Sequence, residues 1–181
     1  MRVLRLGVML AAGFLAIAPA SAAPKFLGKS GTWRAYSNSN EHGLFCYAVG
    51  QPSAMAASTG RARTYLMISD QPARNVVEEP QIISGYPALD GNTASLHVGG
   101  KSFDFFFQGG DGWLAQLSEN DRLMQALRSS RSAVITGAGP DGVMIRDSYN
   151  LTGLTQAMAK ARTACWKLVA GRPFTVSHLF R

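Results

Sequence analysis

An all-β domain, a sandwich or barrel of short antiparallel strands, is the fold class this 181-residue sequence predicts. Three observations predict it. Short β-like runs recur along the chain with Gly, Pro, Asn and Asp between them. A Gly-Gly pair joins two alternating segments that agree on a single register. Only two segments carry helical spacing, too few to alternate with the strands as a parallel α/β sheet requires.

The N-terminus reads as separate from the fold. Arg2 and Arg5 precede an uncharged apolar run, Leu6 to Ala18, and Ala20-Ser21-Ala22 then supplies the small-x-small pattern of a signal-peptidase site. Residues 1–22 are therefore expected to be a cleaved secretory signal, leaving a periplasmic or secreted chain that starts at Ala23. The alternative, an uncleaved anchor, lacks a stop-transfer flank, and the run is shorter than the roughly 20 residues of a membrane-spanning helix. No cysteine follows the run, so a lipidated N-terminus is not indicated. No later stretch is apolar enough for a transmembrane span. Residues 23–181 suit a single domain, and neither a repeat nor a long linker divides them. Removing Arg2 and Arg5 lowers the net charge from +7 to +5, too small an excess to argue for nucleic acid.

Strands are expected at 32–36, 44–49, 63–69, 81–84, 93–98, 102–108, 113–116, 132–136 and 143–148, with 51–62 as an Ala-, Ser- and Gly-rich loop. The firmest element is the hairpin through Gly99-Gly100, where both turn residues can take positive φ. A two-residue loop pairs Val98 with Lys101, His97 with Ser102, Leu96 with Phe103 and Ser95 with Asp104. That register puts Ala94, Leu96, Phe103 and Phe105 on one face and the polar residues on the other, so turn and pattern agree. Phe107 extends the apolar face. Phe106 points the opposite way and requires a cover.

Two helices interrupt the strands. Ser118-Glu119-Asn120-Asp121 has capping-box spacing, and Leu123, Ala126 and Leu127 follow at helical intervals. Leu151, Leu154, Met158, Ala161 and Cys165 then step by three and four along one stripe, with Lys160 and Lys167 opposite. An isolated cysteine pair in an oxidising compartment most often forms a disulfide, and Cys165 on a buried helical face is placed to reach Cys46 on an early strand. The alternative of a catalytic thiol has no C-x-x-C motif and no nearby histidine in sequence. Residues 172–181, with Phe174, Val176 and Phe180 alternating, either add a strand or dock loosely.

Candidate chemistry is sparse. His42, His97 and His178 are far apart and none has a second ligand at metal spacing, so no metal or other cofactor is expected. No G-x-S-x-G elbow is present. Gly137-Ala138-Gly139-Pro140-Asp141-Gly142 lacks the Gly-Lys-Ser/Thr ending of a phosphate loop and reads as a strand-to-strand turn. Glu78 and Glu79 are adjacent on a strand and point to opposite faces, so they do not form an acid pair. After Asp147 the chain carries no acidic residue, whereas Lys160, Arg162, Lys167, Arg172 and Arg181 are basic. With Trp166, Leu168, Phe174 and Phe180, these residues are either a solvated helix flank or a surface for anionic lipid or lipopolysaccharide.

Leu44-Phe45-Cys46-Tyr47-Ala48 with Gln51-Pro52 resembles the invasion-associated locus B family of bacterial secreted proteins. The resemblance runs on through Tyr65-Leu66-Met67-Ile68-Ser69, Pro72-Ala73-Arg74-Asn75-Val76, Glu79 and Ile83-Ser84-Gly85-Tyr86-Pro87. It resumes at Gly112-Trp113, at Leu123 to Arg128 and at Asp147-Ser148-Tyr149-Asn150-Leu151-Thr152-Gly153-Leu154, and closes on Cys165. It covers about residues 30–165. Asn150 stands where a serine is common, and the tail 166–181 is longer and more apolar than the family needs. The resemblance implies an immunoglobulin-like sandwich exported to the periplasm or envelope, with no agreed enzymatic activity and an association with host-cell invasion. Arg74, Glu79, Tyr86 and Asp147 lie within the family-like motifs, either as bonds that fix corners of the sandwich or as a binding site.

The function expected from these features is that of a non-enzymatic envelope module that binds an envelope protein, an anionic lipid or a polysaccharide. Two alternatives stand beside it. One is a hydrolase whose site assembles from distant loops around His97 or His178. The other is a surface-exposed adhesion or invasion factor.

Overall fold

Buried and exposed positions alternate along β-strands at 43–50, 93–98, 101–108, 132–138 and 144–150 in the computed structural model, which describes residues 23–40, 43–55, 61–88, 91–139 and 142–170. The expected export signal, His42, and the tail with Arg172, Phe174, Val176, His178, Phe180 and Arg181 lie outside the described residues. The described residues form ten strands: β1 (Lys25–Ser30), β2 (Trp33–Asn40), β3 (Gly43–Gly50), β4 (Tyr65–Gln71), β5 (Val76–Ile83), β6 (Thr93–Val98), β7 (Lys101–Gln108), β8 (Asp111–Leu114), β9 (Ser132–Ala138) and β10 (Met144–Asn150). Helix α1 (Asn120–Ser129) lies between β8 and β9, and α2 (Leu154–Ala170) follows β10.

All strand pairs are antiparallel, in the order β1-β2-β3-β4-β5-β8-β7-β6-β9-β10. The chain is thus all-β and antiparallel, with two helices and one disulfide. Hydrogen bonding runs through one continuous sheet, joined at β5–β8 by only three residue pairs. The two halves enclose a single core, an arrangement consistent with a sandwich. Trp33, Leu66, Leu96, Phe103 and Phe105, contributed by both halves, are essentially sealed from solvent. Each contributes on the order of 1.5–3 kcal/mol through burial.

The sheet bends until its far ends meet. Beyond β3, Ser53 N donates to Ser148 O (2.7 Å) and Ala54 O accepts from Ser148 N (2.8 Å), which covers part of the outer edge of β10. Trp33 on β2 donates its indole N–H to Asn150 O at 2.9 Å. Close beside it, the β1–β2 turn crosses the turn before α2. A Cβ on Gly31 would come within 2.2 Å of Thr152 O, and one on Gly153 within 2.1 Å of Ser30 O. Backbone meets backbone here, so glycine is required at both positions.

The Gly99-Gly100 hairpin forms in the expected register, from Val98↔Lys101 to Ser95↔Asp104. Four expectations need correction. β1 was not anticipated; it is largely exposed, and a register shift between Phe26 and Gly28 spoils its alternation. β5 begins at Val76, well before position 81, although Pro80 lies inside it opposite Ile68. The capping box does not form. A 3-10 turn, Leu117–Glu119, leads into α1, whose cap residue Glu119 makes no side-chain cap bond. Phe106 has no full cover and remains 40% exposed.

Both helices lie against the inner face. Arg162 of α2 meets Asp70 of β4, and Arg122 of α1 lies over the Phe103 ring, 5.0 Å from its centroid. The disulfide joins Cys46 of β3 to Cys165 of α2 with Cα atoms 5.9 Å apart, within the range a disulfide spans, and both residues are fully buried. It closes a loop of 119 residues. Replacing both cysteines with alanine is expected to lower unfolding stability by about 2–5 kcal/mol, measured by urea denaturation. The unreduced native protein is expected to take up no thiol-alkylating reagent, read by mass spectrometry.

Candidate functional site

The four residues singled out from the family-like motifs fall into two separate places. Tyr86 and Asp147 belong to a buried cluster at the end of the core. Asp147, on the inner face of β10, forms a forked ion pair with Arg61, with Nη1 3.0 Å from Oδ1; the two side chains are only 2% and 1% exposed. The bond to Asp147 raises the Arg61 pKa despite burial. Around the pair, Thr64 donates to Ile83 O (2.7 Å) and lies 3.5 Å from the Tyr149 hydroxyl, while Tyr86 donates to Ala138 O (2.6 Å). Burial pushes the Tyr149 phenol far above its ordinary range. Every group here holds another part of the chain, so the cluster acts as a plug between the 61–64 segment, β10 and the loop after β5.

Arg74 and Glu79 lie elsewhere, on an open groove of about 710 Å³ that also takes in Val77, Phe106, Trp113 and Leu117. Glu78 and Glu79 diverge as expected. Glu78, at positive φ, turns toward the helices and pairs with Arg128 of α1 and Arg162 of α2. Glu79 is directed to the groove, where burial raises its carboxyl above the ordinary value and Arg74 only partly opposes the shift.

The basic C-terminal residues are divided as well. Arg162 is engaged by Asp70 and Glu78 (2.6 Å to the latter), and Lys160 donates to Lys29 O (2.8 Å) and Ser30 Oγ (3.1 Å). Lys167 is exposed, as is Trp166. His97 lies on the solvent side of its hairpin, 3.0 Å from Thr136 Oγ1. Among the described residues no carboxylate contacts its other ring nitrogen, the partner that orients the base in a triad. The glycine-rich 137–142 segment joins β9 to β10, with Gly139 N donating to Val143 O.

The most extensive arrangement involves residues that sequence patterns did not single out. On the outer face, away from both helices, register lines up Phe26 of β1, Tyr36 of β2, Tyr47 of β3, Ser69 of β4 and Glu79 of β5 as successive cross-strand partners. The next row is Arg34, Val49, Met67, Gln81, Trp113 and Phe106. The rings form a ladder. Tyr36 and Tyr47 stack with centroids 5.4 Å apart and planes 22° apart, flanked by Phe26 (5.5 Å from Tyr36) and Phe45 (5.0 Å from Tyr47). Phe26 is 55% exposed, and the other three are half-buried. Burial raises the Tyr47 phenol pKa, and Tyr36 adds to the shift. Between Tyr47 and Glu79, the Ser69 hydroxyl is buried with no hydrogen-bond partner among the described residues. Beside Tyr36, a recess of about 460 Å³ is lined by Arg34, Val49, Gln51, Arg63 and Tyr65. Its amide and phenol are in contact, Gln51 Nε2 lying 3.5 Å from the Tyr65 hydroxyl.

Period-2 alternation identifies one residue of such a face at a time. The face itself exists only once the strands are in register, which is why the sequence alone did not reveal it. Compared with protein-family models, curated proteins and solved structures, the chain matches none.

Two outcomes are expected from this geometry. Asp147→Ala, which strands a buried guanidinium, should lower stability by about 3–5 kcal/mol, and Arg61→Leu combined with it should cost less than the sum of the two single changes, both read by urea denaturation. Glu79→Gln should act oppositely at neutral pH. A carboxyl whose folded pKa is raised stabilises the fold in its neutral form, and that contribution is lost as pH rises through the folded pKa. The variant should therefore melt above the parent at pH 7, and the difference should vanish below the ordinary value of 4.5.

Proposed function

We propose that this chain is an exported, non-enzymatic binding module of the bacterial envelope, similar in role to the invasion-associated locus B proteins it resembles. Its binding surface is the outer sheet face. The single observation that carries this reading is the aromatic ladder on β1, β2 and β3. Three rings, Phe26, Tyr36 and Tyr47, form one cross-strand row with Phe45 beside Tyr47 along β3, and the disulfide and α2 are committed to the opposite side of these strands. Export is supported by the N-terminal pattern and by a disulfide suited to an oxidising compartment.

Of an envelope protein, a lipid and a polysaccharide, the ladder favours the polysaccharide. Aromatic faces are apolar with polar rims when they belong to tyrosine, and sugar rings likewise present C–H faces edged by hydroxyls. An acyl chain would find no enclosed tunnel here, because the rings lie on a half-exposed surface.

Co-sedimentation tests the proposal with three probes: purified peptidoglycan sacculi, lipopolysaccharide, and equimolar phosphatidylglycerol–phosphatidylethanolamine vesicles. Sacculi or lipopolysaccharide should retain the mature chain. Tyr36→Ser with Tyr47→Ser should cut retention at least tenfold, whereas Met144→Ser, an exposed apolar residue on β10, should leave it unchanged. Retention by none of the probes, or full retention of the double tyrosine variant, would sink the proposal.

A further inference from the structure

The geometry points to a specific ligand class for that face: an anionic sugar chain, with one ring on the Tyr36–Tyr47 stack and its acidic group held in the recess by Arg34 and Arg63. This deepens the function proposed above and depends on the outer face being the binding surface.

The charge pattern of the recess carries it. Arg34 and Arg63 converge on one cavity of about 460 Å³, and no carboxylate is among its lining residues. Neither guanidinium has an ion-pair partner among the described residues, unlike Arg61, Arg122, Arg128 and Arg162. The directly cross-strand neighbours of Arg34 are Lys29 and Val49, which add a further positive charge and no negative one. Two like charges facing the same space repel, and a bound anion relieves that repulsion. Guanidinium groups also bind carboxylate and phosphate oxygens through paired N–H donors. Gln51 and the Tyr65 hydroxyl, at the wall of the recess, supply neutral donors and acceptors for the sugar hydroxyls around such a group.

Tyr36 makes the recess and the ladder one site. Its ring stacks on Tyr47, is flanked by Phe26, and is also among the residues that line the recess. A ring seated on the stack thus has its substituents within reach of the guanidinium groups. The acidic group can be a uronate-type carboxylate or a sugar phosphate. Both have the same chemistry at the arginines, and they are separated by experiment.

Isothermal titration calorimetry on the mature chain decides the matter with five probes: a galacturonate hexamer, a phosphomannan oligosaccharide, the neutral maltohexaose, inorganic phosphate alone, and the phosphatidylglycerol-containing vesicles. At least one acidic oligosaccharide should bind, at least tenfold more tightly than maltohexaose and than inorganic phosphate, with affinity falling as salt rises. Which acidic sugar wins assigns carboxylate or phosphate. Arg34→Gln and Arg63→Gln should each weaken that binding at least tenfold with unchanged melting temperatures; Arg63 is exposed, so its replacement does not threaten folding. The inference is overturned if maltohexaose binds equally, if phosphate alone suffices, if only the vesicles bind, if neither acidic sugar binds, or if both arginine variants bind normally. Should sacculi retain the protein through Tyr36 and Tyr47 while both acidic sugars fail, the binding module stands and this ligand class falls.

Discussion

Everything on the outer face depends on how the inner face is closed. The sheet has one hydrophobic side, and α2 covers its first four strands there, tied at Cys46–Cys165 and by Arg162 to Asp70 and Glu78. An amphipathic sheet needs only one side buried. Because the clamp puts both helices on that side, the rings on the opposite side of β1 to β3 stay half-exposed, whereas Ser69, Met67 and Gln81 on that side of β4 and β5 are buried. Had α2 packed on the other face, the aromatic row would have been core and the cysteines could not have met. The disulfide thus fixes which residues are available for recognition while touching none of them.

A second consequence of the closure lies in the Arg61–Asp147 plug. The sheet is bent tightly enough for the segment after β3 to bond the edge of β10. Bending leaves an open end to the core, and that end is filled by an ion pair with hydroxyls around it instead of by apolar side chains. A buried pair is weak support for stability when compared with packed hydrocarbon, but it is strict about geometry: each charge is costly without the other. It therefore penalises any strand register that separates residue 61 from residue 147. Two of the residues marked from sequence, Tyr86 and Asp147, belong to this plug, and their connections are those of a structural corner.

Local signals were legible and assembled ones were not. The Gly99-Gly100 hairpin was readable because turn chemistry and alternation act within a dozen residues and agree. Cys46 with Cys165 was readable because the helical stripe gave the second cysteine a direction. β1 escaped because its bulge breaks the alternation, and the early part of β5 because Pro80 argues against a paired strand. Arg61 sat in what read as a featureless loop, and its partner is 86 residues away. The outer row was invisible for a stronger reason. Phe26, Tyr36 and Tyr47 are unremarkable singly and become a platform only through two strand pairings, each set by where the apolar residues of the inner face must go.

Stability alone can account for part of this surface, and the part it leaves over is informative. Cross-strand aromatic pairs add about 0.5–1.5 kcal/mol beyond the area they bury, so stacked tyrosines on β2 and β3 also help to hold the sheet. The half-buried phenols shield one another, and an edge strand such as β1 gains from Phe26. No comparable benefit follows from Arg34 and Arg63. They face one recess without a carboxylate, where replacing either by glutamate or glutamine would lower the repulsion at no cost to the core. Elsewhere in the protein Arg61, Arg122, Arg128 and Arg162 are each given acids. Among the described residues four arginines are paired with acids, whereas Arg34 and Arg63 share one recess beside the aromatic row, where solvent or a bound anion has to supply the opposing charge.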